Sequence, residues 1–190
     1  MADVVEERPG LLRMLLRRWP TAAALVAAVL IWSDVGDLTD TIADLGPLVL
    51  LLALEYLILN QIGRRGASWP VVGGMVVVIV LLDLLDVVSL STALVVAALV
   101  LLVAGAVTGT PNGRASFGIQ AAGMVGFGAI ALVGLAVDPD LGRYLIAAGW
   151  LAHGVWDAVH WKLERVVSRS YAEACFVVDI AVGVLLLFAV

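Results

Sequence analysis

Long apolar runs alternate with short polar punctuation along the chain, at a spacing close to the thickness of a bilayer. Seven runs are predicted to be helical and membrane-spanning, at about 19–36, 45–62, 70–88, 91–109, 116–137, 141–161 and 171–190. Turn-forming and charged residues separate them: an acidic loop around Asp34 to Asp44, then RRGASWP, SLST, GTPNGRA, DPD and ERVVSRS. The stretch from Val87 to Arg114 carries no charge before its last residue. A backbone in hydrocarbon must satisfy its own hydrogen bonds, so such runs are expected as helices and not as loops. The alternation of a membrane barrel is absent. The predicted fold class is an all-α, polytopic integral membrane protein with seven transmembrane helices.

The first run is the weakest, because its uncharged core reaches only from Thr21 to Ser33. The preceding GLLRMLLRRWP reads as an interfacial amphipathic helix leading into it. The expected organisation is a cytoplasmic or interfacial segment over 1–18 and a single seven-helix domain over 19–190. No small-x-small cleavage site follows LIWSD, so the first run is expected to be a retained anchor.

Charge orients the chain. With seven crossings and the N-terminus in the cytoplasm, the inner segments hold Arg8, Arg13, Arg17, Arg18, Arg64, Arg65, Arg114, Lys162, Arg165 and Arg169. Only Arg143 falls outside, as the positive-inside rule predicts. The outer loops collect Asp34, Asp37, Asp40, Asp44, Asp138 and Asp140. Six or eight crossings would blur this asymmetry. The C-terminus is therefore expected outside.

Composition narrows the class further. The 190 residues are 63% hydrophobic and 14% charged, which excludes an ordinary soluble domain. The single cysteine, Cys175, excludes an internal disulfide and a Cys-rich zinc site. The net charge of −5 comes with no dominant basic run, so no nucleic-acid partner is expected. Arginine greatly outnumbers the one lysine, Lys162, a bias associated with GC-rich prokaryotic genomes. The expected location is the cytoplasmic (inner) membrane of a prokaryote, with membrane lipids as partners. No lysine lies inside a run, which excludes a retinal Schiff base, and GTPNGRA has no phosphate-loop pattern, so no nucleotide is expected.

The chemistry lies in the ionisable residues left inside the runs: Glu55, Asp83, Asp86, His153, Asp157, His160, Glu173 and Asp179. A charge at the bilayer centre costs roughly 2.5–3.5 kcal/mol on insertion scales. So many of them require partners, water or a metal inside the bundle. His153, Asp157 and His160 recur at i, i+4 and i+7, which stacks them on one helix face. Asp83 and Asp86 are helical neighbours at i, i+3. At 1.5 Å of rise per residue, Glu55, His153 and Asp179 fall near mid-membrane. Asp157 and His160 lie nearer the cytoplasm, and Asp83 with Asp86 nearer the outside.

Two chemistries suit this inventory. Acids and histidines are the material of proton relays. On that reading Asp83 and Asp86 form an outer vestibule, His153 and Asp179 a central site, and Asp157 and His160 an inner exit. Alternatively, His153, Asp157 and Asp179 are ligands of a Zn, Mn or Fe ion, with Glu55 as base or outer partner. The His and Asp on facing helices look broadly similar to those of seven-span metal-dependent lipid hydrolases of the alkaline ceramidase and adiponectin receptor type. This chain departs from their pattern in reading H-x-x-x-D-x-x-H, without an H-x-x-x-H pair, so the likeness is one of analogy. A third reading makes these residues polar glue in a structural or accessory subunit. Glycines in FGIQAAGMVGFG and at Gly105 and Gly109 suit close helix contacts, within the chain or in a homo-oligomer.

Overall fold

The computed structural model describes residues 18–188. The amphipathic stretch expected ahead of Arg18, with Arg8, Arg13 and Arg17, lies outside the described residues. Seven α-helices follow in order: α1 (Trp19–Ser33), α2 (Leu38–Ile62), α3 (Ser68–Leu85), α4 (Leu90–Thr108), α5 (Gly113–Ala136), α6 (Pro139–Leu163) and α7 (Arg169–Phe188). One 3₁₀ turn, Arg65–Ala67, leads into α3, and the described residues contain no strand.

Five helical stretches are long and apolar enough to cross a membrane: Leu38–Ile62, Arg65–Leu85, Leu90–Thr108, Gly113–Ala136 and Arg169–Phe188. Helix α1 is apolar but has 15 residues, a length of about 22 Å against the roughly 30 Å of a hydrocarbon core. Helix α6 has length to spare at 25 residues, but His153, Asp157 and His160 interrupt its apolar sequence, and all three are buried.

Local chemistry sets the boundaries. Helix α2 starts at Leu38 because the Asp37 carboxylate accepts from the backbone N–H groups of Thr39 at 2.9 Å and Asp40 at 3.1 Å. The expected acidic loop is accordingly shorter: Asp40 sits in the first turn of α2, where negative charge suits the helix dipole, and Asp44 in the second. Gly63 closes α2 in the left-handed region at φ 69°. Asp138 caps α6, with Pro139 in its first turn.

Helix α2 is the hub of the bundle, packing against α4, α5 and α6, with 72% of its most apolar window buried. Val49, Leu50, Leu54 and Leu57 of α2 meet Ala131 of α5 and Ile146, Ala147 and Trp150 of α6 in one cluster. The α5–α6 crossing is close: a Cβ built on Gly142 would lie 2.5 Å from the backbone oxygen of Gly134. Only glycine admits that approach. Helices α6 and α7 form the most extensive pair, and α1 lies chiefly against α7. Arg18 and Thr21, at the start of α1, reach Glu173 at 3.1 and 2.6 Å.

Helices α3 and α4 sit at the margin, with 6% and 17% of their apolar windows buried. Leu84, Val87, Val103 and Val107 are all largely exposed. Such a continuous apolar surface is unsuited to water and suited to lipid.

Candidate functional site

The i, i+4, i+7 stripe of α6 turns inward, and His153, Asp157 and His160 are buried there. Helix α7 is packed along α6 and brings Asp179 into the same space, also with no exposed surface. His153 Nδ1 lies 2.8 Å from Asp179 Oδ2 and 3.4 Å from Asp157 Oδ2. The imidazole thus aims one nitrogen at two carboxylates, and its Nδ1–H donates to Asp179. One donor atom from each of the three residues falls within 4.8 Å of the others.

Helix α2 closes the site. Tyr56 donates its hydroxyl to Asp157 Oδ1 at 2.5 Å, and its ring stands edge-on to His160 at 4.7 Å and to His153 at 5.5 Å. The preceding residue, Glu55, is buried and accepts a hydrogen bond from the Tyr171 hydroxyl of α7. Glu55 is therefore held by a tyrosine beside the three-residue group and makes no hydrogen bond to it. His160 hands the network to α5: its Nδ1–H donates to the Trp156 carbonyl at 2.9 Å, and its Nε2 accepts from the Gln120 amide at 3.1 Å. That pairing describes a neutral imidazole.

Several buried polar atoms have no hydrogen-bond partner among the described residues: His153 Nε2, Asp157 Oδ2, Asp179 Oδ1, Glu55 Oε1 and Gln120 Oε1. Buried polar atoms are nearly always satisfied, so this concentration marks a place suited to a further proton, water or ion. Charge arithmetic points the same way. Two carboxylates and a neutral imidazole sum to −2, which a dry interior does not tolerate. Neutrality is reached with one divalent cation, or with two protons shared over the three groups.

Two cavities flank this centre. One, of about 730 Å³, opens at the end of the bundle bearing Arg65 and Arg165, and is lined by Gln120, Trp156 and His160. Val166 in its wall is β-branched, buried and at φ 68°, a backbone conformation that valine rarely adopts. The other cavity, of about 470 Å³, lies at the opposite end and is lined by Asp44, Asp83 and Asp86. Asp83 and Asp86 are exposed, and Asp86 ends α3 at φ 46°. Between the trio and the acidic end, the next turns of α6 are apolar: Trp150, Ala147 and Ile146 are buried, and Trp150 Nε1–H donates to the Leu45 carbonyl at 3.2 Å.

The geometry thus unites His153, Asp157 and Asp179, sets His160 one turn away and Glu55 beside them on Tyr171, and leaves Asp83 and Asp86 at a separate surface. Tyr56, Tyr171 and Gln120 escaped the sequence reading. Tyr56 and Gln120 carried a usable signal, since each is a hydrogen-bonding side chain deep in an apolar run, in LLALEYLILN and FGIQAAG. Comparison with protein-family models, curated proteins and solved structures gives no match for this chain.

Proposed function

We propose that this chain is a small membrane transporter or channel that moves protons or cations, or a proton-coupled solute, through its buried Asp, Glu and His group. It would do so as a seven-span protein of a prokaryotic cytoplasmic membrane, with its N-terminus inside and its C-terminus outside. One observation carries the reading: His153, Asp157 and Asp179 have no exposed surface, yet each retains a polar atom with no hydrogen-bond partner among the described residues. These Asp oxygens and the imidazole Nε2, none of them hydrogen-bonded among the described residues, are acceptor or donor sites that exchange a proton without rearranging the backbone. His160 and Gln120 stand between this group and the basic cavity and provide its access from that side. The apolar turns around Trp150 block the opposite side, as a coupled transporter requires of a site that opens to one face at a time.

The test is flux. Protein reconstituted in liposomes with an entrapped pH-sensitive dye is expected to dissipate an imposed pH gradient, and Asp179→Asn to reduce that rate at least tenfold. Equal rates for the two proteins, or a rate no higher than in empty liposomes, would overturn the proposal.

A second reading, a metal-dependent membrane hydrolase acting on a lipid, is favoured by the donor set itself. Imidazole with two carboxylates suits Zn, Mn or Fe, and Tyr56 orients one carboxylate as an outer partner does. That reading expects near-stoichiometric metal in detergent-purified protein, lost in His153→Ala and measured by elemental analysis.

A further inference from the structure

The cavity at the basic end has a shape and a chemistry of its own. It is a groove between α5 and α6 whose length is walled by Ile119, Val155 and Val159, each about half exposed on the outer surface of the bundle. Its mouth carries Arg65 and Arg165. The Glu164 carboxylate shares that mouth, but Arg169 neutralises it at 3.1 Å. Arg65 uses one guanidinium nitrogen on the Glu164 carbonyl, with the Glu164 carboxylate 4.0 Å from the same nitrogen, and keeps its other N–H donors, while the Arg165 side chain has no partner among the described residues. The floor is Gln120, 3% exposed, whose Oε1 lacks a donor.

An occupant must therefore match three features in order. It needs an apolar tail for the α5–α6 wall, an anion for two arginines, and a hydrogen-bond donor for a buried amide oxygen. Free phosphate, an anion with a P–OH donor, meets two but brings no tail for the wall. A zwitterionic choline lipid meets two, offering the amide no donor. We propose that this groove binds an anionic phospholipid with a hydroxylated headgroup, its phosphate held by Arg65 and Arg165 and a headgroup hydroxyl donating to Gln120 Oε1. Guanidinium forks match phosphate geometry, and basic pockets between helices at a membrane surface select anionic lipids. Because Gln120 also donates to His160, the headgroup would sit one hydrogen bond from the histidine stripe. The proposal rests on the basic end meeting a membrane surface and does not require that anything be transported.

Native mass spectrometry of the full chain released from detergent micelles tests it, with phosphatidylglycerol, phosphatidic acid and phosphatidylcholine of matched acyl chains as probes. Phosphatidylglycerol is expected to bind at least tenfold more tightly than phosphatidylcholine, with one site per chain. Arg165→Gln, a change at an exposed loop residue, is expected to weaken phosphatidylglycerol and phosphatidic acid alike by at least tenfold. Gln120→Leu is expected to bring phosphatidylglycerol down to the level of phosphatidic acid, which has no headgroup hydroxyl, while leaving phosphatidic acid unchanged. Phosphatidylglycerol binding undiminished by Arg165→Gln overturns the assignment. So does displacement of phosphatidylglycerol by millimolar inorganic phosphate, which would mark a site for free anions.

Discussion

Helices α3 and α7 are close in length and composition, and each carries acids within its apolar sequence, yet their acids end in opposite environments. Asp83 and Asp86 of α3 are exposed, beside an open cavity at one end of the bundle. Asp179 of α7 is wholly enclosed, 2.8 Å from an imidazole. The difference lies in the neighbours. Helix α7 lies along α6 and faces a stripe of polar residues, whereas α3 packs lightly on α2 and α4. A costly group is buried where a second helix supplies a partner, and kept at a helix end where none does.

The largest effect that would sharpen this contrast is expected from His153→Ala. It leaves two aspartates facing each other in a dry site and is expected to lower stability by about 3–5 kcal/mol, read by thermal or denaturant unfolding in micelles. A neutral result would mean that the carboxylates do not depend on the imidazole. Tyr56→Phe comes next. It removes the hydroxyl bonded to Asp157, for an expected loss of about 2 kcal/mol, while Tyr144→Phe at an exposed tyrosine should leave the melting temperature unchanged. Packing offers a matched pair as well. Gly142→Ala pushes a methyl into the Gly134 carbonyl and should cost about 1–2 kcal/mol. Gly73→Ala on α3, where an added Cβ has no atom within 4 Å, should be neutral or slightly stabilising in the same melts. The smallest effect belongs to Asp86→Asn, within about 0.5 kcal/mol, because the residue is exposed and asparagine tolerates its left-handed backbone. A loss above 2 kcal/mol there would erase the contrast between the two acid pairs.

Much of the architecture was legible because hydropathy and helical period are local properties. The runs from 45 to 62 and from 141 to 161 lie inside helices that extend a few residues further, and capping explains most of the extension. The acidic loop was read too long because a helix start depends on where the Asp37 carboxylate points, which charge counting ignores. The stripe on α6 was visible for the same local reason. Its surroundings were harder to read. Charge identifies costly residues but passes over neutral ones, so Tyr56, Tyr171 and Gln120 went unseen although each bonds one of the predicted residues. Spacing also treated Asp83–Asp86 and His153–Asp157 alike, because i, i+3 and i, i+4 pairs describe a face and not what that face meets. Glu55 shows the same limit, since its hydrogen-bond partner comes from a helix more than a hundred residues away.

The contact of α1 with α7 has a bearing on how the molecule comes into being. Of the helices described, the earliest in the chain has the latest as its principal neighbour, fastened through Glu173. On a ribosome, α1 therefore waits unattended while five other helices emerge, and the histidine stripe of α6 waits for its aspartate until α7 arrives. Completion of the last helix is the event that both shields the polar centre and recruits the first helix. A nascent chain halted before Arg169 would leave both unprotected, and quality-control proteases would be expected to recognise it.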